Sequence, residues 1–233
     1  MSINEPILID WPQKKVLRLQ LNRPAFSNAI NHEMLDSLYR ALIAPKANVV
    51  VLCSSTRGMF CSGADLTLSD VDRTKISISL YDLYRHLTRM KIPIVVAMSG
   101  PAVGGGAQLA VASDLRIAET TAWLRFVGPA HGLAVGAWAL PSLIGRGRAL
   151  DICLTGRRVN ANDALAIGLI DRIADDATAT ALEIASELAT LDSDAVARIK
   201  TIVNLSAQQA EALELEAFGN LGWSGQVAGS IDS

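Results

Sequence analysis

Three consecutive glycines, Gly104, Gly105 and Gly106, stand where a strand gives way to a helix. Before them come an apolar, β-branched run, Ile94 to Ala97, and a Ser99-Gly100-Pro101 break; after them comes Ala107-Gln108-Leu109-Ala110. Adjacent glycines remove side chains where a ligand has to touch backbone. At a helix start the first N–H groups lack an intrahelical acceptor and lie at the positive end of the helix dipole. A developing oxyanion can be held there. The plainer reading is that the glycines only let this helix pack tightly on its strand, and both readings stand on this stretch alone. A second small pair, Gly63-Ala64, sits in a polar loop from Ser54 to Asp72 and also leaves backbone N–H groups accessible.

Composition narrows the classes that need considering. The chain has 233 residues, of which 50% are hydrophobic, enough for one large domain with a sizeable core. A net charge of -2 offers no basic field for nucleic acid. The histidines (His32, His86, His131) and cysteines (Cys53, Cys61, Cys153) are scattered without metal-ligand spacing, so no metal is expected. A low, odd cysteine count suits a reducing cytoplasm. The opening MSINEPILID has no basic segment before an apolar core, so no signal peptide is expected. Ile92 to Ala112 is uncharged and long enough to span a bilayer, but Pro93, Pro101 and the glycine triplet argue against a membrane span.

The elements that must position these residues follow from periodicity. Ile7 to Ile9 and Val16 to Leu21 read as a hairpin joined through Trp11 to Lys15. Asn31 to Ala44 reads as a helix capped by Asn31, with Met34, Leu35, Leu38 and Leu42 on one face. Val49 to Cys53 reads as a buried strand, and Lys75 to Met90 as a helix. Beyond the glycines, Leu115 to Ala118, Ala122 to Val127 and Leu169 to Ile173 read as strands. Helices are expected through Trp138 to Leu143, over Gly147 to Leu154 and over Ala161 to Ala166. After Asp175 the pattern is helical, over Ala177 to Leu191, Asp194 to Leu205 and Glu211 to Leu221. The expected organisation is an α/β core over residues 1–175 and a helical region over residues 176–233.

Three stretches in this order resemble the enoyl-CoA hydratase/isomerase (crotonase) family. They are Leu21-Asn22-Arg23-Pro24 with Asn28-Ala29, Phe60-Cys61-Ser62-Gly63-Ala64-Asp65-Leu66, and Gly100 to Leu109 with Ser113-Asp114-Leu115-Arg116. The resemblance implies a crotonase (ClpP-like) spiral of ββα turns with a C-terminal helical trimerisation region. It implies homo-oligomers, a trimer or a dimer of trimers. The implied ligand is a coenzyme A thioester, with no covalently bound cofactor. Backbone N–H groups of Ala64 and Gly105 are implied to polarise the thioester carbonyl. Ser62, Ala64 and Leu66 are implied to meet the CoA, with Pro24, Ala25 and Phe26 close by.

The departure from the family pattern bears on catalysis. The two glutamates of a typical hydratase fall at Gln108 and, by matching Leu124 to Gly128, at Gly128. An amide is not a useful base, and glycine has no side chain. General acid–base chemistry contributes about 10²–10⁴ per group, so two-glutamate hydration is not expected. His131, three residues past Gly128, is the speculative replacement base. Tyr81 and Tyr84 read as core aromatics, Asp65 as an orderer of its loop, Cys61 as a packing residue and Asp114 as a turn anchor. Trp123 and Trp138 flank the second acid's place. Arg23 and Lys14 are candidates for the CoA phosphates on a par with several others.

The expectation is therefore an enoyl-CoA hydratase-like protein of fatty-acid metabolism that binds acyl-CoA without hydrating it. The alternative is an active enzyme of the hydratase or isomerase type using His131 or Tyr81. A scaffold that has lost its ligand ranks last, because it has no physical need for the glycine frame.

Overall fold

The computed structural model describes residues 5–203. The chain opens as an antiparallel hairpin, β1 (Ile7–Gln13) and β2 (Val16–Leu21), turned by Lys15 at φ 64. β1 runs past the expected end at Ile9 because a register irregularity between Asp10 and Gln13 lets pairing resume. α1 (His32–Leu42) starts where Asn31 accepts a hydrogen bond from Met34 N, as its cap position requires. β3 (Val49–Ser54) returns parallel to β2. α2 (Asp70–Arg89) begins five residues before the expected start, because Ser69 accepts from Asp72 N and donates to Asp72 Oδ2 at 2.8 Å.

β4 (Ile94–Met98) is followed by a two-residue strand, β5 (Ala102–Val103), and then by α3 (Gly105–Val111). β6 (Leu115–Ala118) and β7 (Trp123–Arg125) lead to a single 3-10 turn at Pro129–His131. α4 (Leu140–Ile144) is shorter than the helix expected through Trp138, since Pro141 sits in its first turn, where the missing N–H is harmless. α5 (Arg146–Thr155), β8 (Val159–Asn160), α6 (Ala161–Ala166) and β9 (Arg172–Ile173) follow. α7 (Ala177–Leu188) and α8 (Ser193–Val203) complete the described chain. The helix expected over residues 211–221 and the tail after it lie outside the described residues.

Two sheets organise these elements. The large one has the order β1-β2-β3-β4-β6-β9 and is parallel beyond the first hairpin; the small one has the order β5-β7-β8. Each turn of the chain lays a strand in the large sheet and crosses into a second layer before its helix. Isolated bridges Ile30↔Ala64 and Cys61↔Ala102 carry that second layer back to the earlier turns. The central strands are buried on both faces, as parallel strands must be. Val49, Val51 and Cys53 face α7, whose Ala177, Ala181 and Ala185 allow close approach, while Val50 and Leu52 face the core under α1 and α2. No helix among the described residues is long and apolar enough to cross a membrane.

Candidate active site

Backbone hydrogen bonds bring the Phe60–Ala64 loop against the start of α3. Phe60 N and Cys61 N donate to Pro101 O at 3.0 and 3.1 Å, and Val103 N donates to Cys61 O at 2.9 Å. From the other side Ile30 N donates to Gly63 O at 2.7 Å, and Asp65 N to Ile30 O at 3.0 Å. This parallel pairing uses the groups flanking Ala64 and turns the Ala64 N–H away, toward α3. A Cβ on Gly105 would lie 3.5 Å from Ala64 N, and one on Gly63 would lie 3.2 Å from Gly105 N and 2.8 Å from Val103 O. The Ala64 and Gly105 amides are thus neighbours, and neither donates to an acceptor among the described residues. Two convergent N–H groups of this kind can hold an oxygen that carries negative charge.

The glycines divide the two roles between them. A Cβ on Gly106 would meet Cys61 Cβ at 2.7 Å and Sγ at 2.8 Å, and the Cys61 carbonyl closer still. Gly106 therefore serves close packing, and Gly63, at φ 98, serves a backbone path closed to other residues. Gly105 faces Leu80 and Tyr84 of α2, and the Tyr84 hydroxyl donates to Gly105 O at 2.8 Å. Tyr84 stacks on Trp138, with ring centroids 6.2 Å apart. Gln108 is only 4% exposed, and its Oε1 accepts from Gly136 N at 3.0 Å and from Trp138 Nε1 at 3.1 Å. Sequence reading singled out Gly105, Gln108 and Trp138 but did not connect them with one another or with Tyr84, because contacts between separate elements leave no local pattern.

The other candidates fall elsewhere. Gly128 is buried, and its carbonyl accepts from His131 N and Leu133 N, both at 2.9 Å. A Cβ there would lie 2.7 Å from Val135 N and nearer still to the Leu133 carbonyl, so this backbone has no room for any side chain. His131 is held below its ordinary pKa by burial and by the Arg73 charge, so the ring is neutral at pH 7. Arg73 lies seven residues, about 10 Å of helix, before the Leu80 that faces Gly105. It is buried and reaches Leu66 O at 3.3 Å and Asp70. As a charge on the first turn of a helix, it carried no sign of burial in the sequence. The Tyr81 hydroxyl donates to Ala134 O at 3.0 Å. Burial pushes the Cys61 thiol up to about 12, and it donates to Asn28 O, so Cys61 is a packing residue.

The first and second motifs form one exposed ledge. Ser62 N donates to Ser27 O at 3.1 Å, which sets the 3-10 turn Pro24–Phe26 beside Ser62 to Leu66. Phe26 and Leu66 are 53% and 48% exposed on it. Burial alone would raise the Asp65 carboxyl, but bonds from Thr67 and Arg23 outweigh it and hold Asp65 below the usual carboxylate value. Arg23 also donates to Ala29 O and lies over the Phe26 ring, so its charge is spent inside the ledge. Lys14 lies before β2 at the far end of that strand from the ledge. Asn28, fully buried at φ 54, donates to Ser54 Oγ at 2.8 Å and Phe60 O at 3.0 Å and accepts from Arg23 N at 2.8 Å. Asn28→Ala strips all three partners, and chemical unfolding is expected to show a loss of about 3 kcal/mol.

A model of the enoyl-CoA hydratase/isomerase family matches residues 12–221. The chain belongs to that family. Among its relatives in the crotonase family is the probable enoyl-CoA hydratase echA12 of Mycobacterium leprae, 34% identical over 210 residues, covering 81% of this chain and 71% of the relative. The probable enoyl-CoA hydratase echA6 of Mycobacterium bovis is 34% identical over 195 residues, covering 81% and 79%. An enoyl-CoA hydratase/isomerase structure from Mycobacterium paratuberculosis superposes with a TM-score of 0.84 at 27% identity, covering 93% of this chain and 92% of that one. The enoyl-CoA hydratase structure from Bacillus anthracis gives 0.81 at 26% identity, covering 92% and 91%. The spiral of turns described above is the crotonase fold, and α7 and α8 fit its helical C-terminal region.

Proposed function

We propose that this crotonase-family chain binds acyl-CoA thioesters and does not hydrate them by a two-glutamate mechanism. The observation that carries the reading is the pair of adjacent, unpartnered amides at Ala64 and Gly105 beside a locked carboxamide. In this reading the thioester carbonyl accepts from both amides, an oxyanion hole whose single donors are worth about 10²–10³ in rate where chemistry follows. The CoA lies on the ledge of Pro24, Ala25, Phe26, Ser62, Ala64 and Leu66, whose exposed apolar side chains suit an adenine face. Gln108 and Gly128 take the places of the two acids. The Gln108 oxygen is already occupied by two donors, and Gly128 has no room for a carboxylate.

Two weaker readings remain distinct. An enzyme using His131 as base is supported by the ring's neutrality, which comes first from burial and then from the Arg73 charge, but Arg73 belongs to the start of α2, whereas Gly105 faces the middle of that helix. The Tyr81 hydroxyl donates its hydrogen bond to a backbone carbonyl, which disfavours it as a base. As in the family, residues 1–175 are read as the acyl-CoA-binding core and residues 176–233 as the region joining copies into a trimer or a dimer of trimers, in the cytoplasm.

The test is calorimetry with acyl-CoAs of several chain lengths beside a crotonyl-CoA hydration assay on one preparation. Binding with hydration at least about 10⁴-fold below that of a two-glutamate hydratase is the expected outcome. Fast hydration would overturn the reading, and loss of that activity in His131→Ala would assign it to the imidazole. The absence of a thermal shift with every acyl-CoA tried would leave only the scaffold.

A further inference from the structure

Glycine at an oxyanion hole brings a difficulty with it. Such a hole works through donors that are already aimed when charge develops. Yet the amide offered by α3 lies in a run of three glycines, Gly104, Gly105 and Gly106, the residue type with the widest choice of backbone angles. None of the three has a side chain by which packing could fix it. The direction of the Gly105 N–H therefore depends on what holds the backbone itself.

The peptide that carries this N–H joins Gly104 to Gly105. Ahead of it, Gly104 N donates to Arg125 O at 2.8 Å, and Gly104 O accepts from Gln108 N at 3.0 Å. Behind it, Gly105 O accepts from the Tyr84 hydroxyl at 2.8 Å. A Cβ on Gly105 would lie 3.3 Å from that hydroxyl oxygen, so the phenol occupies the side where a side chain would have anchored the residue. Within a helix a carbonyl already accepts from the N–H four residues on. The bond from Tyr84 therefore uses the second lone pair of Gly105 O and pulls sideways to the helix axis. Tyr84 is itself fixed, being fully buried with its ring stacked on Trp138 at an interplanar angle of 17°. Trp138 Nε1 in turn donates to Gln108 Oε1 at 3.1 Å, one helical turn beyond Gly105. One pair of stacked rings thus grips the first turn of α3 at both Gly105 and Gln108.

We infer that Tyr84 is a positioning residue: its hydroxyl fixes the Gly105 peptide so that the Gly105 N–H stays aimed, together with the Ala64 N–H, at a ligand carbonyl. The inference rests on the acyl-CoA reading of the site and adds to it a residue of α2 that acts through Gly105 rather than on the ligand. A core tyrosine that merely finds an acceptor for its hydroxyl would make the same bond, so the test has to read the ligand carbonyl and not stability alone.

The test is infrared difference spectroscopy of butyryl-CoA, isotope-labelled at the thioester carbonyl and bound at saturation to the full chain. In the parent the carbonyl stretch is expected to fall in frequency on binding, because two amides draw charge onto the oxygen. Tyr84→Phe keeps the ring stack and removes one oxygen atom. Its bound carbonyl is expected to shift less, with affinity about 2- to 10-fold lower. Ser113→Ala is the control for a weakened α3, since Ser113 is 5% exposed and its hydroxyl donates to Leu109 O at 3.1 Å at the far end of that helix. Its melting temperature is expected to fall comparably with that of Tyr84→Phe, with the carbonyl shift kept at the parent's value. A full shift in Tyr84→Phe would overturn the proposal and leave Tyr84 a core residue. So would an equal loss of shift in Ser113→Ala, because any loosening of α3 would then produce it. Butyryl-CoA that binds the parent without a shift, or does not bind it, would instead remove the reading on which the proposal rests.

Discussion

Replacing Gly106 by alanine is expected to lower acyl-CoA binding by about 10²-fold and to destabilise the fold by about 1–3 kcal/mol. The added methyl would overlap Cys61 Cβ, Sγ and carbonyl oxygen, none of which is the loose end of a flexible side chain. Cys61 is bridged to Ala102 and held by Pro101, so it cannot recede without breaking the second layer. The strain is relieved by moving α3 outward, which parts the Gly105 amide from Ala64. Gly147→Ala in α5 is the matched control, since an added Cβ there meets nothing within 4 Å and φ is helical. It is expected to stabilise by about 0.5–1 kcal/mol with binding unchanged. Denaturant titration and calorimetry on both variants check the pair. Ordinary binding in Gly106→Ala would mean that the two amides need not stay adjacent.

Asp114→Ala is expected to be the more damaging change to stability, by about 3–5 kcal/mol. Lys200 is the buried residue of α8, 7% exposed, and its Nζ donates to Asp114 Oδ2 at 2.7 Å and to Ile92 O at 3.0 Å. The same carboxylate accepts from Ile94 N at 2.7 Å, tying the start of β4 to α8. The apolar Ile199, Ile202 and Val203 are exposed, so this ion pair anchors α8 to the rest of the described chain. Removing Asp114 leaves an ammonium with one carbonyl partner.

The pH dependence distinguishes that cause from general loss of packing. Burial lowers the Lys200 pKa, and Asp114 opposes it by raising it. Without Asp114 the folded-state value falls further below the 10.5 of the free side chain. Between those two values the unfolded chain binds more protons than the folded one, so stability rises with pH there. The deficit of Asp114→Ala is therefore largest near neutrality and shrinks as the pH approaches 10. Unfolding at pH 7 and 9.5, with hydrogen exchange across residues 193–203, measures it. The double variant Asp114→Ala, Lys200→Met should recover most of the loss. A deficit that is the same at both pH values would point to packing instead.

Much of this molecule was legible without coordinates. The unbroken apolar run of Val49 to Cys53, the Asn31 cap and the strand–glycine–helix order are local signals, set by side-chain pattern and by backbone chemistry within a few residues, and they reappear as β3, α1 and α3. Family membership was legible because motif residues such as Asn28, Asp65 and Arg23 bond one another across the ledge, which restricts their types. Two-residue strands such as β5 and β8 were not, since two residues carry no period and pair only through partners far along the chain.

The division of labour within the glycine triplet was likewise beyond the sequence. Three identical residues differ only in what surrounds them: Cys61 against Gly106, Tyr84 and Ala64 against Gly105. The same holds for Gln108 and Gly128. Composition determined that neither is a carboxylate. Only the tertiary structure decided that the Gln108 oxygen is held by Gly136 and Trp138, and that Gly128 is glycine because Leu133 and Val135 fold back over it. Residue type determines which atoms can donate or accept, but which of them are already satisfied depends on partners some thirty residues away, and those partners are chosen by packing.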